Sequence, residues 1–192
     1  MSPAMNIAGP FMTDQVDILK LVAGRLEAAG IPYMLTGFMA LSHYAEPRFT
    51  RDIDLVVQLA TEQVERLVAL FAADCYADAD AIRAAVGRHG MTNLLHLDTM
   101  TKIDLIVRKP TPYHAREFDR RRAVIIEGTA VWIVSPEDLV ISKLSWIQQG
   151  GSDVHRRDIA SLLAAVDTMD RPYIDTNVRE LQLADLWKTF AE

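Results

Sequence analysis

The chain has 192 residues, half of them apolar, and a formal net charge of −6. This length suits one compact domain, or one domain with a small helical addition, and the acidic balance argues against broad nonspecific binding to nucleic acid. The single cysteine, Cys75, excludes an internal disulfide and suits a reducing cytoplasm. No run approaches the roughly 20 apolar residues that span a bilayer, and the first residues predict no signal peptide.

The first half of the chain alternates helical and extended patterns. Apolar spacing, glycines and polar caps predict the elements in this half. The first four are a helix over 14–29, a short buried strand over 31–36, a helix that begins at Gly37 and a strand over 51–59. They are followed by a helix capped by Thr61 and by a second helix from Asp80 to Val86 that closes at Gly87 or Gly90. Cys75 follows the apolar face of the helix after Thr61 and is expected to be a small buried residue.

The second half begins with strands and ends with helices. The patterns predict strands Asn93–Leu97 and Lys102–Val107, a hairpin that turns at Glu127 and Gly128, a helix opened by Ser135 and Pro136, and helices over Asp153–Val166 and Thr176–Phe190. The expected fold is α/β (α+β), with a mixed sheet of about five strands flanked by helices. Residues 1–134 would form the core, and 135–192 a helical region packed on it.

Three aspartates interrupt apolar strands. Asp52 and Asp54 project from one face of their strand, about 6.6 Å apart along it. Two carboxylates this close repel each other unless a cation lies between them, and their hard oxygens suit Mg²⁺. Asp104 shares a strand face with Lys102 and Ile106, and on a neighbouring strand it would complete a cluster able to hold two ions about 3.5–4 Å apart. Taken alone, the Asp-x-Asp pair favours an exposed strand face, because aspartate is mostly exposed.

The order of these features carries a family resemblance. The chain has a glycine at a helix start, then an Asp-x-Asp strand, then a later acid in an apolar strand. This order resembles the G-[GS]…D-x-D…D pattern of the nucleotidyltransferase superfamily with the DNA polymerase beta fold. The pattern reads here Thr36-Gly37-Phe38, Asp52-Ile53-Asp54 and Lys102-Ile103-Asp104. Arg48 and Thr50 extend it to the R-x-T-x-D-I-D phrase of small bacterial abortive-infection-toxin-like proteins. The chain is also similar to aminoglycoside and lincosamide nucleotidyltransferases, and the resemblance covers about residues 15–165.

The resemblance implies an enzyme. It would transfer a nucleoside monophosphate from a nucleoside triphosphate to a hydroxyl, release pyrophosphate, and use two Mg²⁺ ions that Mn²⁺ can replace. Asp52, Asp54 and Asp104 would be the catalytic and metal-binding residues. The acceptor is left open between RNA, a protein and a small molecule such as an aminoglycoside. A cytoplasmic protein, linked to a toxin–antitoxin system and without a membrane partner, is expected.

The same resemblance assigns the nucleotide to Gly37, Phe38, Arg51 and Lys143. Phe38 departs from the family, because a glycine or serine usually follows the first glycine and helps the loop to close on phosphate. This departure keeps a second interpretation open, in which a catalytically silent module binds a nucleotide, an antitoxin or toxin partner, or a second copy of the chain. Lys143 is interpreted either as a phosphate ligand or as an exposed helix lysine, and Asp158 as a residue that orients Lys143 or Arg157 rather than a metal ligand.

Two other classes of site are weighed. The histidines lack metal-ligand spacing, so no zinc site is expected. The basic run from Arg116 to Arg122 is interpreted as solvated surface, which is the usual state of such runs.

Overall fold

The structure is a computed structural model that describes residues 10–46, 52–151 and 153–191. Within these residues the fold is α/β and contains nine α-helices and a mixed sheet of seven strands, where about five strands were expected. The chain divides into two compact units. The first contains the described residues up to Tyr33, residues 52–108 and Ala123–Val131, and the second contains the remainder. The predicted boundary after residue 134 stays a prediction.

The strands are short. They are β1 (Tyr33–Thr36), β2 (Asp52–Val57), β3 (Cys75–Ala77), β4 (Met91–His96), β5 (Lys102–Val107), β6 (Arg122–Ile126) and β7 (Thr129–Ile133). The helices are α1 (Pro10–Ala28), α2 (Gly37–Tyr44), α3 (Val64–Phe71), α4 (Ala79–Arg88), α5 (Pro112–Asp119), α6 (Pro136–Gln148), α7 (Asp153–Ala165), α8 (Arg171–Glu180) and α9 (Ala184–Ala191).

The first unit contains four neighbouring strands in the order β3-β4-β5-β2. Strands β2 and β5 run parallel, and β4 is antiparallel to β5 and to β3. Strict alternation buries Ile53, Leu55 and Val57 on one face of β2 and leaves the other face partly exposed. One face of this part of the sheet is therefore apolar core, and the other is available for polar side chains.

The second unit is mostly helical. Strands β1 and β7 run parallel, with Leu35 opposite Ile133. Helix α6 packs against α2, α7 and α8, and α9 packs against α8. Ser135 caps α6 as expected, since its Oγ accepts the Asp138 N–H at 3.1 Å and Pro136 follows in the first turn.

The prediction of one continuous helix over Thr176–Phe190 is wrong. The structure has α8 and α9, separated at Gln182, whose φ is +59°. The Leu183 N–H donates to the Val178 carbonyl at 2.7 Å and the Gln182 N–H donates to the Arg179 carbonyl at 3.2 Å. This pattern is a Schellman motif with glutamine in the position that glycine usually takes, so composition gave no stop signal.

Helix α4 ends in the same way, with His89 at φ +49° and the Gly90 N–H bonded to the Ala85 carbonyl. Gly90, one of the two glycines predicted to close this helix, therefore takes part in the cap, whereas Gly87 lies inside it. At the start of the preceding helix, Thr61 begins a short 3₁₀ turn, and the Gln63 side chain accepts the Ala60 N–H at 2.9 Å.

Two elements were missed. Strand β3 has three residues, too few to show a period, and the expected burial of Cys75 is met in this strand rather than at a helix end. Helix α5 carries a recognisable start, because Thr111 accepts the His114 N–H and Pro112 follows. Its basic residues had suggested solvated surface, and no helix was assigned to them.

Candidate functional site

The three acids lie together on the partly exposed face of the first unit. The parallel register between β2 and β5 places Asp54 directly beside Asp104, and Asp52 beside Lys102. Residues opposite each other in adjacent strands point to the same face, so all three carboxylates and the Lys102 ammonium share one side of the sheet. Asp52 and Asp54 are half-buried, whereas Asp104 is only 6% exposed.

Lys102 contacts one of these acids, Asp104. Its Nζ donates to Asp104 Oδ2 at 2.8 Å and lies 2.8 Å from Oδ1. The hydrogen bond to Asp104 is the largest cause that raises the pKa of Lys102, and the negative charges of Asp104, Asp52 and Asp54 add to it against a smaller opposing effect of burial. Lys102 is therefore an ammonium at neutral pH.

The donor set fits a hard divalent cation. Three carboxylates on one face of two adjacent strands are oxygen ligands of the kind that Mg²⁺ binds, and the buried Asp104 Oδ1 accepts no hydrogen bond within the described residues. As the side chains stand, no three Asp, Glu, His or Cys residues in 10–46, 52–151 and 153–191 are grouped to hold a metal ion. Metal binding by this set thus requires side-chain rearrangement around Asp104.

A fourth strand position belongs to the same face and was missed by the sequence interpretation. In the antiparallel register between β4 and β5, Asn93 lies opposite Asp104, so Asp54, Asp104 and Asn93 form a row across three strands. The period-two alternation of β4, with buried Leu94 and exposed Asn93, could have indicated the face but not the partner strand.

Gly37 and Phe38 lie at the start of α2 in the second unit. Gly37 has a φ of +64°, a left-handed conformation that favours glycine, at the point where β1 ends and the helix begins. Phe38 is only 7% exposed, and its carbonyl accepts the Ser42 hydroxyl at 3.1 Å. The left-handed backbone therefore explains why this position is glycine, and the Phe38 side chain is buried and packs in the core.

Lys143 and Asp158 form a buried ion pair, also in the second unit. Lys143 Nζ donates to Asp158 Oδ2 at 2.7 Å, and the two side chains are 5% and 4% exposed. The interpretation of Lys143 as an exposed helix lysine is therefore wrong, and Asp158 orients it as expected. Arg51, with the neighbouring Arg48 and Thr50, lies outside the described residues.

Asp158→Asn is expected to lower the free energy of unfolding by about 3 kcal/mol, because it leaves a buried ammonium without its carboxylate. Urea unfolding followed by circular dichroism measures this change. Asp185→Asn is the matched control, since Asp185 pairs with Lys188 at the same 2.7 Å on an exposed surface; it should change the stability far less. Equal losses in both variants would contradict a buried pair.

The basic run on α5 and β6 pairs with buried acids of the second unit. Glu137, 2% exposed, lies 3.3 Å from both Arg120 and Arg122. Asp138, fully buried, accepts hydrogen bonds from Ser135 at 2.6 Å and from Tyr173 at 2.8 Å. These arginines are therefore structural partners of α6, rather than the purely solvated surface expected from their spacing.

Glu117 is the acid of this region with the most altered titration. Its pKa is raised to about 8, chiefly by burial and in part by the negative charge of Asp138, while Lys109 opposes the shift. Its carboxyl group is therefore largely protonated at neutral pH.

Three solved structures share this fold at low sequence identity. An antigenic nucleotidyltransferase-like protein from Paracoccidioides brasiliensis is 21% identical, with a TM-score of 0.55 over 86% of this chain and 87% of its own. ANT(2″)-Ia in complex with adenylyl-2″-tobramycin is 14% identical, with a TM-score of 0.60 over 88% and 99% of the two chains. The lincosamide antibiotic adenylyltransferase LnuA, bound to lincomycin, is 10% identical, with a TM-score of 0.51 over 84% and 100%. The fold of this chain is thus the nucleotidyltransferase fold.

Sequence comparison adds the family. No curated protein matches the chain significantly. A separate structural finding is that no helix in the described part of the chain is long and apolar enough to cross a membrane. The model of the nucleotidyl transferase AbiEii toxin of type IV toxin–antitoxin systems matches residues 23–160, which include all three acids and the Lys143–Asp158 pair. With this match over most of its length, the chain belongs to the AbiEii nucleotidyl transferase toxin family.

Proposed function

We propose that the chain transfers a nucleoside monophosphate from a nucleoside triphosphate to a hydroxyl group, with Mg²⁺, and releases pyrophosphate. The observation that carries this proposal is the β2–β5 register, which sets Asp54 beside Asp104 and Asp52 on the same face. Membership of the AbiEii family supports nucleotidyl transfer in general. The metal, the two-ion stoichiometry and the replacement of Mg²⁺ by Mn²⁺ belong to the proposal.

In this proposal Asp52 and Asp54 hold the metal–nucleotide complex, and Asp104 completes the set. Bound Mg²⁺ would supply charge neutralisation on the phosphate oxygens. Asp104 accepts the proton of the acceptor hydroxyl while that oxygen attacks the α-phosphorus and the bond to pyrophosphate breaks.

The nucleotide contacts proposed for the second unit come from the family resemblance. Gly37 would offer backbone N–H groups to phosphate at the start of α2, and Lys143, held by Asp158, would act as a fixed positive charge. Arg51 and the Phe38 backbone are proposed as further contacts.

For the acceptor and for the protein partner we propose a chemical class. LnuA and ANT(2″)-Ia were solved with an antibiotic and an adenylylated antibiotic, so a small hydroxylated molecule is one candidate, beside an RNA end and a protein hydroxyl. The place of the family in type IV toxin–antitoxin systems supports an antitoxin as the proposed protein partner. A cytoplasmic site of action is also part of the proposal.

A second candidate function is a silent member of the fold that binds a nucleotide or partner protein without catalysis. Buried Phe38, in place of the glycine or serine usual there, favours this candidate. Pyrophosphate release with Mg²⁺ and a mixture of the four nucleoside triphosphates separates the two functions. Release by the wild type that Asp52→Asn abolishes supports the enzyme, whereas nucleotide binding without release by the wild type supports the silent module.

Mn²⁺ is expected to raise the melting temperature of the wild type, because a divalent cation relieves the repulsion among the three carboxylates and binds only the folded chain. The double variant Asp52→Asn with Asp54→Asn should gain little, and differential scanning fluorimetry measures both. The control is Asp78→Asn with Asp80→Asn, which removes two acids at the same spacing from the start of α4. Equal gains in the wild type and the β2 double variant would rule out the carboxylate set as the metal site.

A further inference from the structure

The carboxylate face contains a cation supplied by the chain itself. Lys102 Nζ lies 2.8 Å from both oxygens of Asp104, and the register puts Lys102 beside Asp52. We propose that Lys102 is the internal counter-ion of the three acids, which stays on Asp104 until a divalent metal displaces it and so sets the metal affinity of the site. This inference rests on the proposed function, since it assumes that Asp52, Asp54 and Asp104 take a metal.

The charges at this face explain why such a counter-ion is needed. Asp54 and Asp104 are neighbours across the strands, and Asp52 is two residues from Asp54 on the same face. Three carboxylates at these separations repel one another in the metal-free protein. One ammonium cancels part of this charge, so Lys102 stabilises the metal-free state.

The same ammonium opposes a metal ion. A divalent cation that binds Asp104 must either share the carboxylate with Lys102 at short range or displace it, and both alternatives weaken metal binding. Displacement is feasible because the Lys102 side chain is 41% exposed, whereas that of Asp104 is 8% exposed. The ammonium ends a flexible four-carbon stem and can turn into solvent while the buried carboxylate stays in place.

A purely structural ion pair would behave differently. Exposed lysine–carboxylate pairs contribute little, and removing one changes nothing at a distant metal. Lys20 offers such a pair within the same unit, since its Nζ lies 2.9 Å from Glu127 and its side chain is 26% exposed. Lys20→Met therefore controls for the loss of one lysine charge from an ion pair.

The test is a titration with Mn²⁺ alone, in which the free ion is measured by electron paramagnetic resonance. Lys102→Met should bind Mn²⁺ about tenfold more tightly than the wild type, since it removes a positive charge at contact distance from the ligand set. Lys102→Arg keeps the charge, so its Mn²⁺ affinity should stay within a few-fold of that of the wild type. The Mn²⁺ affinity of Lys20→Met should do the same. If Lys102→Met does not fold without metal, Lys102→Gln replaces it, because the amide still donates to Asp104 without a charge.

The outcomes separate this inference from the proposed function. Tighter Mn²⁺ binding in the neutral Lys102 variants only would establish the counter-ion. Equal or weaker binding in these variants, while the wild type binds Mn²⁺, would overturn the role of Lys102 and leave the proposed function standing. Absence of Mn²⁺ binding in all the proteins, together with absence of pyrophosphate release by the wild type, would overturn both.

Discussion

Asp104→Asn is expected to slow turnover by about 10²–10⁴-fold, the usual contribution of a positioned base, while triphosphate affinity stays within a few-fold of the wild type. The amide has nearly the same size as the carboxylate but cannot accept the proton of the acceptor hydroxyl. Asp52 and Asp54, on the neighbouring strand, are unchanged and still hold the nucleotide's metal. A loss confined to turnover therefore identifies a residue that acts in the chemical step rather than in binding.

The measurement is paired: nucleotide affinity by calorimetry and turnover by pyrophosphate release, in the same preparations. Asp98→Asn is the matched control. Asp98 is exposed in the turn between β4 and β5, so this substitution makes the same chemical change close to the same strand. Turnover of Asp104→Asn within a few-fold of the wild type would remove Asp104 from the site. A loss of nucleotide affinity as large as the loss of turnover would instead assign it to binding.

The acid face could be predicted because its information is local. Alternation of Asp52 and Asp54 with buried Ile53 and Leu55 fixes which side chains share a face of β2, and the same period holds Lys102 and Asp104 together on β5. That β2 and β5 are neighbours is not local information. It came from the order of motifs in the family pattern, and the observed parallel register is the one that brings the acids side by side.

Other features could not be predicted because they depend on contacts between distant segments. The row formed by Asn93, Asp104 and Asp54 depends on the pairing of β4 with β5. The position of the Lys102 ammonium depends on which carboxylate its flexible stem reaches. The helix end at Gln182 depends on a left-handed residue other than glycine, which carries no compositional signal.

The second unit holds a buried acid whose titration should dominate the pH dependence of stability. Glu117 on α5 is 7% exposed, and its pKa is raised to about 8 by burial and by the charge of Asp138, against an opposing effect of Lys109. The unfolded chain releases this proton near the ordinary glutamate pKa of about 4.3. Between these two values the folded state therefore binds one proton more than the unfolded state.

Glu117→Gln is expected to abolish this pH dependence. Because the native pKa is raised, the wild type loses about 1.4 kcal/mol of stability for each pH unit between the two pKa values, so the contribution is intact near pH 4 and lost above pH 8. Glutamine stays neutral and should leave stability unchanged near pH 4 but raise it by several kcal/mol at pH 8. Urea unfolding at intervals between pH 4 and 9 measures both proteins, with the exposed Asp119→Asn on the same helix as the control. Parallel stability curves for the wild type and Glu117→Gln across this range would show that Glu117 is ionised in the folded chain.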